Sequence, residues 1–141
     1  MPLGLIESME SDIEPEGSIV SWHASFEMTR NKEMAEVFPD KSEFLKNLNK
    51  RMVDLENAFK KNYVDVRFGG STSIKKVLPI LCPEFSYSDL SVQDGTSAME
   101  TWERMLSADP ENAKALAQSL LQYCKLDTLA MLKIYKVLVA L

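Results

Sequence analysis

The sequence predicts an α/β domain that is rich in helix and short of strand. Residues 18–23, Ser-Ile-Val-Ser-Trp-His, are β-branched and aromatic and leave from Gly17, the pattern of a strand. The short run Met52-Val53-Asp54-Leu55 offers a second strand between two helical patterns. The remainder carries five or six stretches of helical spacing, set off by caps and prolines. One to three short strands make an incomplete α/β domain, because a complete one needs a fuller sheet.

Taken in order, residues 1–16 form an acidic segment in which Leu3, Leu5, Ile6, Met9 and Ile13 fit one short helix against the body. The main domain is expected over residues 17–141. Its first strand is nearly all apolar or small, as an interior strand covered on both faces would be. Ser25 is placed to cap a helix over 26–37 that Pro39 stops. Asp40 and Glu43 resemble a capping box opening the next helix, with Phe44, Leu45, Leu48 and Met52 at helical spacing. Residues 63–71 are extended and turn-like, and Gly69-Gly70 permits unusual backbone angles there. Ser73 caps a short helix through residue 81, with Pro79 near its end. A loop covers 83–95 and a helix runs from Thr96 through Leu106. Asp109-Pro110, with proline at the first helical position, launches the last long helix.

The bulk properties narrow the function. A chain of 141 residues, 45% hydrophobic, can bury one real core. A net charge of −5 argues against gripping nucleic acid by a basic surface, but not against a metal-dependent nuclease, whose clustered carboxylates make it acidic. With two cysteines and one histidine the soft ligands are too few for a four-ligand zinc site. Cys82 and Cys124 both lie in apolar settings and read as reduced core residues of a cytoplasmic protein. The start carries acids rather than a basic, then apolar, leader. The apolar stretch at 126–141 is too short to span a bilayer and is interrupted by Lys133 and Lys136, so no membrane partner is expected.

One residue stands against its surroundings. In the last helix Leu116, Leu120, Cys124, Met131, Ile134, Tyr135 and Leu138 fall on one face at about 100° per residue, with Asp127 among them and Tyr123 a turn earlier. Lys125, Lys133 and Lys136 are expected to point the other way. A carboxylate on an apolar stripe requires a hydrogen-bond partner, a cation or a metal. A structural acid bonded to a neighbouring helix or a lysine is the plain alternative.

Two segments together resemble a known superfamily. His23-Ala24-Ser25-Phe26-Glu27, at a strand-to-helix junction, resembles the second motif of the DEDD-type 3′–5′ exonucleases. Tyr123-x-x-x-Asp127 resembles the third motif of their tyrosine-bearing branch, the ribonuclease D and proofreading-exonuclease type. Between them, Val53-Asp54-Leu55 and Ser73-Ile74-Lys75-Lys76-Val77-Leu78 are similar to that branch's connecting strand and Ser-Leu-Lys-type helix. From residue 17 to 141 the chain also looks like the C-terminal part of an uncharacterised bacterial exonuclease-like domain family.

The resemblance implies a partial ribonuclease-H-like fold and a two-metal site for Mg²⁺ or Mn²⁺, hard ions that take oxygen ligands. It implies Asp127 as a metal ligand, Glu27 as a second acid at the site, and Tyr123 as the group orienting the attacking water. It further implies His23, Ser73, Lys75 and Lys76 on the substrate side, with a 3′ end of DNA or RNA as substrate. Two departures matter. Glu27 stands where the motif has Asp. The first motif, an Asp-x-Glu pair on an early strand, has no convincing counterpart. Asp12-Ile13-Glu14 has the letters, but two strands and a helix should separate it from His23. The expectation is therefore part of an exonuclease domain, weak or inactive alone, with a homodimer or an upstream domain of the same parent as partner. The alternative is a non-catalytic helical interaction domain derived from that fold.

Overall fold

The computed structural model describes residues 2–141, which form two compact units, one up to Val64 and the other from Asp65 to Leu141. The fold is helix-rich with one short parallel sheet.

The first unit begins with α1 (Pro2–Asp12) and β1 (Ile19–Ser21), then α2 (Ala24–Val37), a 3-10 turn at Pro39–Lys41 and α3 (Ser42–Arg51). It closes with β2 (Met52–Asp54) and α4 (Glu56–Lys61). β1 and β2 pair in parallel, Val20 opposite Val53 and Ser21 opposite Asp54. Parallel neighbours need a long crossover, which α2 and α3 supply. The expected short helix before the sheet is present as α1, and its Ile6 is fully buried with Leu45 and Leu48 of α3. Lys41 donates to Glu10 at 2.6 Å and ties α1 to the turn before α3. Asn31 of α2 is buried and donates to Asn49 of α3 at 2.8 Å, while Asn49 donates to the Met28 carbonyl at 3.0 Å.

Three expectations in this unit are corrected. The first strand is not covered on both faces, since Val20 is 37% and Val53 48% exposed. A pair of three-residue strands has one face to bury, and alternation sends these valines to the other. Ser25 does not cap α2, which starts at Ala24 with His23 at the cap position. The Asp40–Glu43 capping box does not form, because the Pro39–Lys41 turn runs directly into α3 and makes Lys41 its cap residue.

The second unit holds a 3-10 turn at Val66–Phe68, α5 (Ile74–Leu81), α6 (Gly95–Ser107) and α7 (Pro110–Val139). Gly69 and Gly70 take φ of 60° and 79°, the left-handed region the sequence anticipated for them. α6 opens on a reciprocal cap: Asp94 accepts from the Ser97 amide at 2.7 Å, and the Ser97 hydroxyl accepts from the Asp94 amide at 3.1 Å. Asp109 accepts from the amides of Glu111 and Asn112, both at 3.1 Å, and Pro110 follows at the first turn of α7. α7 packs on α5 and α6. Its Ala130 and Ile134 are fully buried, as are Val77 and Leu78 of α5. No described helix is long and apolar enough to cross a membrane.

Candidate active site

Helix α7 turns inward at Leu116, Leu120, Tyr123, Asp127, Ala130 and Ile134, a spacing of four and three residues in alternation. That row averages 3.5 residues per turn, the repeat a helix keeps when it faces a neighbouring helix along its length. The 100° stripe drawn from sequence drifts off this seam. Cys124 and Tyr135 are consequently exposed rather than core. Lys133 does not point away either; its ammonium lies 4.9 Å from the centre of the Phe85 ring.

Asp127 stays on the inner row, partly buried, and its partner is a residue the sequence reading missed. Tyr87, only 5% exposed in the loop between α5 and α6, donates its hydroxyl to Asp127 Oδ1 at 2.6 Å. The Tyr87 and Tyr123 rings are tilted by 57° with centres 6.2 Å apart. Burial pushes both phenols above their ordinary ionisation range, and the Asp127 carboxylate pushes them further. Both hydroxyls therefore stay protonated donors at neutral pH. Within this unit no described Lys, Arg or His forms an ion pair with Asp127. A sequence signal for Tyr87 did exist: Phe85, Tyr87, Leu90 and Val92 are too many large apolar side chains for a fully solvated loop.

Ser73 precedes α5 and caps it through backbone alone, its carbonyl accepting from the amides of Lys76 and Val77. Lys75 is half-buried and helps to hold the Asp94 carboxyl below the usual carboxylate range, a smaller effect than that of the Ser97 cap. Asp94 in turn adds a small upward push on Tyr123. Lys75 thus acts on the Asp94 cap of α6, whereas Lys76 is on the exposed side of α5.

The first unit carries the other predicted residues, at the C-terminal end of the parallel strands. His23 adopts φ 59° and ψ 54°, the one left-handed backbone among the described residues other than glycine. Its amide donates to Asp54 Oδ1 at 3.0 Å, and the same oxygen accepts the Glu56 amide at 3.1 Å. Its Nδ1 lies 3.1 Å from Glu56 Oε2, which also takes the Lys60 ammonium at 2.6 Å. Glu56, 7% exposed, was not singled out in the sequence, although Glu56 and Lys60 have the i,i+4 spacing of a helical ion pair. Glu27 stands in the first turn of α2 and is exposed. Among the described residues no three His, Cys, Asp or Glu side chains gather as a metal-binding group.

Residues 3–73, half of the chain, match the family model described as "Domain of unknown function (DUF2779)", and the chain belongs to that family. The matched segment includes His23, Glu27 and Ser73 and stops short of Tyr123 and Asp127. No curated protein and no solved structure matches the chain.

Proposed function

We propose that this chain carries part of a metal-dependent 3′–5′ exonuclease site of the ribonuclease-H-like, tyrosine-branch kind, acting on the 3′ end of DNA or RNA. The observation that carries the reading is Asp127, a partly buried carboxylate whose hydrogen-bond donor is a neutral phenol and which no lysine, arginine or histidine of its unit neutralises. A carboxylate in a setting of reduced solvation whose donor is neutral favours binding a cation. Tyr123, one turn earlier on the same row, adds an oxygen donor next to it. The junction of β1 and α2 supports the reading further, with His23 at the strand end and Glu27 in the first helical turn.

Asp127 in the second unit, and by the motif resemblance Glu27 in the first, are each the kind of oxygen donor that Mg²⁺ or Mn²⁺ selects. A bound metal would supply charge stabilisation for the attacking and leaving oxygens of a phosphodiester. The Tyr123 hydroxyl would orient the attacking water, and the motif resemblance gives Ser73, Lys75 and Lys76 of the second unit, and separately His23 of the first, to the substrate side. Two carboxylates are half the usual set, so the chain by itself should cleave slowly or not at all.

The test is a thermal melt with Mn²⁺, paired with digestion of 3′-labelled single strands. Saturating Mn²⁺ at about a hundredfold over Kd should stabilise the chain by ~2.7 kcal/mol, a rise of several degrees. Asp127→Asn should abolish the rise. No rise in the wild type, or an equal rise in Asp127→Asn, refutes the reading.

A second reading, a non-catalytic domain that pairs with a second copy of itself, draws on two features. Among the described residues β1 and β2 pair only with each other, leaving strand edges open. Between α6 and α7 runs an apolar groove of about 610 Å³ bordered by the exposed Met99, Trp102 and Leu121. A stable dimer by light scattering, together with a Tm indifferent to Mn²⁺, would favour it.

A further inference from the structure

Helices α6 and α7 form a hairpin across Ala108-Asp109, and each carries an apolar row beyond the one it buries. On α6, Ala98, Thr101 and Met105 are buried or partly so, at the three-then-four spacing of a helix seam. One residue further on, Met99, Trp102 and Leu106 repeat that spacing, yet they are between 54% and 70% exposed. α7 follows the same plan. Beside its inner row at Leu116, Leu120 and Tyr123 runs a second at Ala117, Leu121 and Cys124, of which the last two are exposed. A helix with two adjacent seams is the kind that packs on two neighbours in a four-helix bundle. Here the second seam of both helices opens on one apolar groove.

Charge and area select the occupant. Glu103 lines the groove from α6, while Lys114, three residues before Ala117, and Lys125, four after Leu121, stand exposed along the outer row of α7. None of the three forms an ion pair among the described residues. The face thus carries an acid on one helix and bases on the other, which makes it complementary to itself across a two-fold axis. The exposed parts of Met99, Trp102, Leu106 and Leu121 come to ~500 Å² per copy, so two copies bury ~1,000 Å², the lower bound for a specific interface. We infer that the α6–α7 face binds a second copy of this chain: the two hairpins complete a four-helix bundle in which α6 of each copy packs on α7 of the other, with Trp102 as the anchor. Packing α6 on α6 instead sets Glu103 against Glu103, a like-charge contact that costs affinity. This deepens the self-pairing reading and rests on it, and it does not need the open strand edges of the first unit.

The experiment is sedimentation equilibrium of the full chain, with circular dichroism checking that each variant keeps its helices. Pairing through so small an interface should have a Kd on the order of micromolar. Trp102→Ala should weaken it at least about tenfold. Glu103→Lys, and separately Lys114→Glu combined with Lys125→Glu, should each weaken it about tenfold, because either reversal sets like charges together twice across the axis. An equimolar mixture of those two charge variants should recover wild-type affinity, since acid again meets base at both contacts. Cys124 should react with a thiol reagent quickly in the dilute chain and more slowly as the concentration rises through the pairing range. A mixture no tighter than its components overturns the α6-on-α7 arrangement, as does wild-type affinity in the Lys114→Glu, Lys125→Glu variant. A dimer indifferent to all these variants, or Cys124 reactivity independent of concentration while the dimer forms, overturns the groove as the interface and leaves self-pairing to the strand edges. A wild type still monomeric at ~100 μM overturns the self-pairing reading and this interface with it.

Discussion

Glycine at position 23 should make the first unit more stable than alanine does, and the margin is set by one backbone angle. His23 sits at φ 59°, ψ 54°. A side chain with a Cβ pays roughly 1–2 kcal/mol there, while glycine has no such penalty. Glycine gives back part of the gain through the extra freedom of its unfolded chain, about 0.4–1 kcal/mol. As a helix-capping residue it also outranks alanine. The net expectation is that His23→Gly exceeds His23→Ala by about 1 kcal/mol, close to a fivefold difference in the folding constant. Both variants lose the imidazole contact with Glu56, so the comparison isolates the backbone. That contact is weak in any event, since the His23 side chain is 61% exposed.

The assay is urea unfolding followed by tryptophan fluorescence in a Trp102→Phe background. Trp22, whose ring packs 5.4 Å from Phe59, then reports the first unit alone. The wild type should fall at or below the glycine variant and above the alanine one. An alanine variant as stable as the glycine one would refute the reasoning, by showing that the turn at His23 carries no strain. Should the order hold, His23→Gly becomes the background in which to ask whether the imidazole touches nucleic acid, because the fold survives its removal. Residues held in sparsely populated conformations concentrate at functional sites, which is why this position is worth the measurement.

Other perturbations give separate checks. Ile134→Ala empties a fully buried site on α7 and should cost about 2–5 kcal/mol by urea melt of the second unit, read through Trp102; a loss below ~1 kcal/mol would mean the helix seam is wrongly drawn. Asp94 and Asp109 are held below the usual carboxylate range, chiefly by backbone amides that they cap. Their stabilisation is fully present above the ordinary value of 3.8 and is lost as the pH falls through their lower folded values, so the urea midpoint gap between wild type and Asp109→Asn should shrink there. A gap that widens on acidification would contradict the capping geometry. Cys124 is exposed while Cys82 is buried with its thiol pushed up by burial, so a thiol reagent should label Cys124 quickly in the native chain and Cys82 only after unfolding. Equal labelling rates would overturn that assignment.

Much of the helical layout was legible because it rests on local chemistry. Asp109-Pro110 and the Gly69-Gly70 turn announce themselves within a few residues, and both stand as read. The strand at Met52–Asp54 was legible as an interruption between two helical patterns. What failed depended on distant partners. Whether Ser25 or His23 caps α2 is decided by Asp54, 31 residues away, which captures the His23 amide. Whether Cys124 is core depends on the seam α7 presents to its neighbours, not on its own 3.6-residue period. Tyr87 carried a signal of burial in its apolar loop, but its pairing with Asp127 was not legible for the same reason. That Asp127 needed a partner follows from one helix, but the partner's identity comes from a loop 40 residues earlier.

Glu56 in the first unit is buried and Asp127 in the second is partly so, and the manner of holding separates a structural acid from a candidate ligand. Glu56 is 7% exposed and takes the Lys60 ammonium and the His23 ring on one oxygen, so its charge is balanced where it sits. A cation would have to displace Lys60 to bind there, and removing one partner of a dry ion pair is costly. Asp127 is less buried and is met by Tyr87, a donor with no charge to give. Its hydrogen-bonding requirement is served by a neutral donor, so a divalent ion would gain Coulomb energy there without evicting a lysine. By that criterion Asp127 is the better candidate ligand of the two carboxylates, and Glu56 is better understood as the charge-balanced partner of Lys60. The criterion makes a sharp contrast: Mn²⁺ binding should vanish in Asp127→Asn and survive in Glu56→Gln, and the reverse result would mean that the charge-balanced acid is the one that binds.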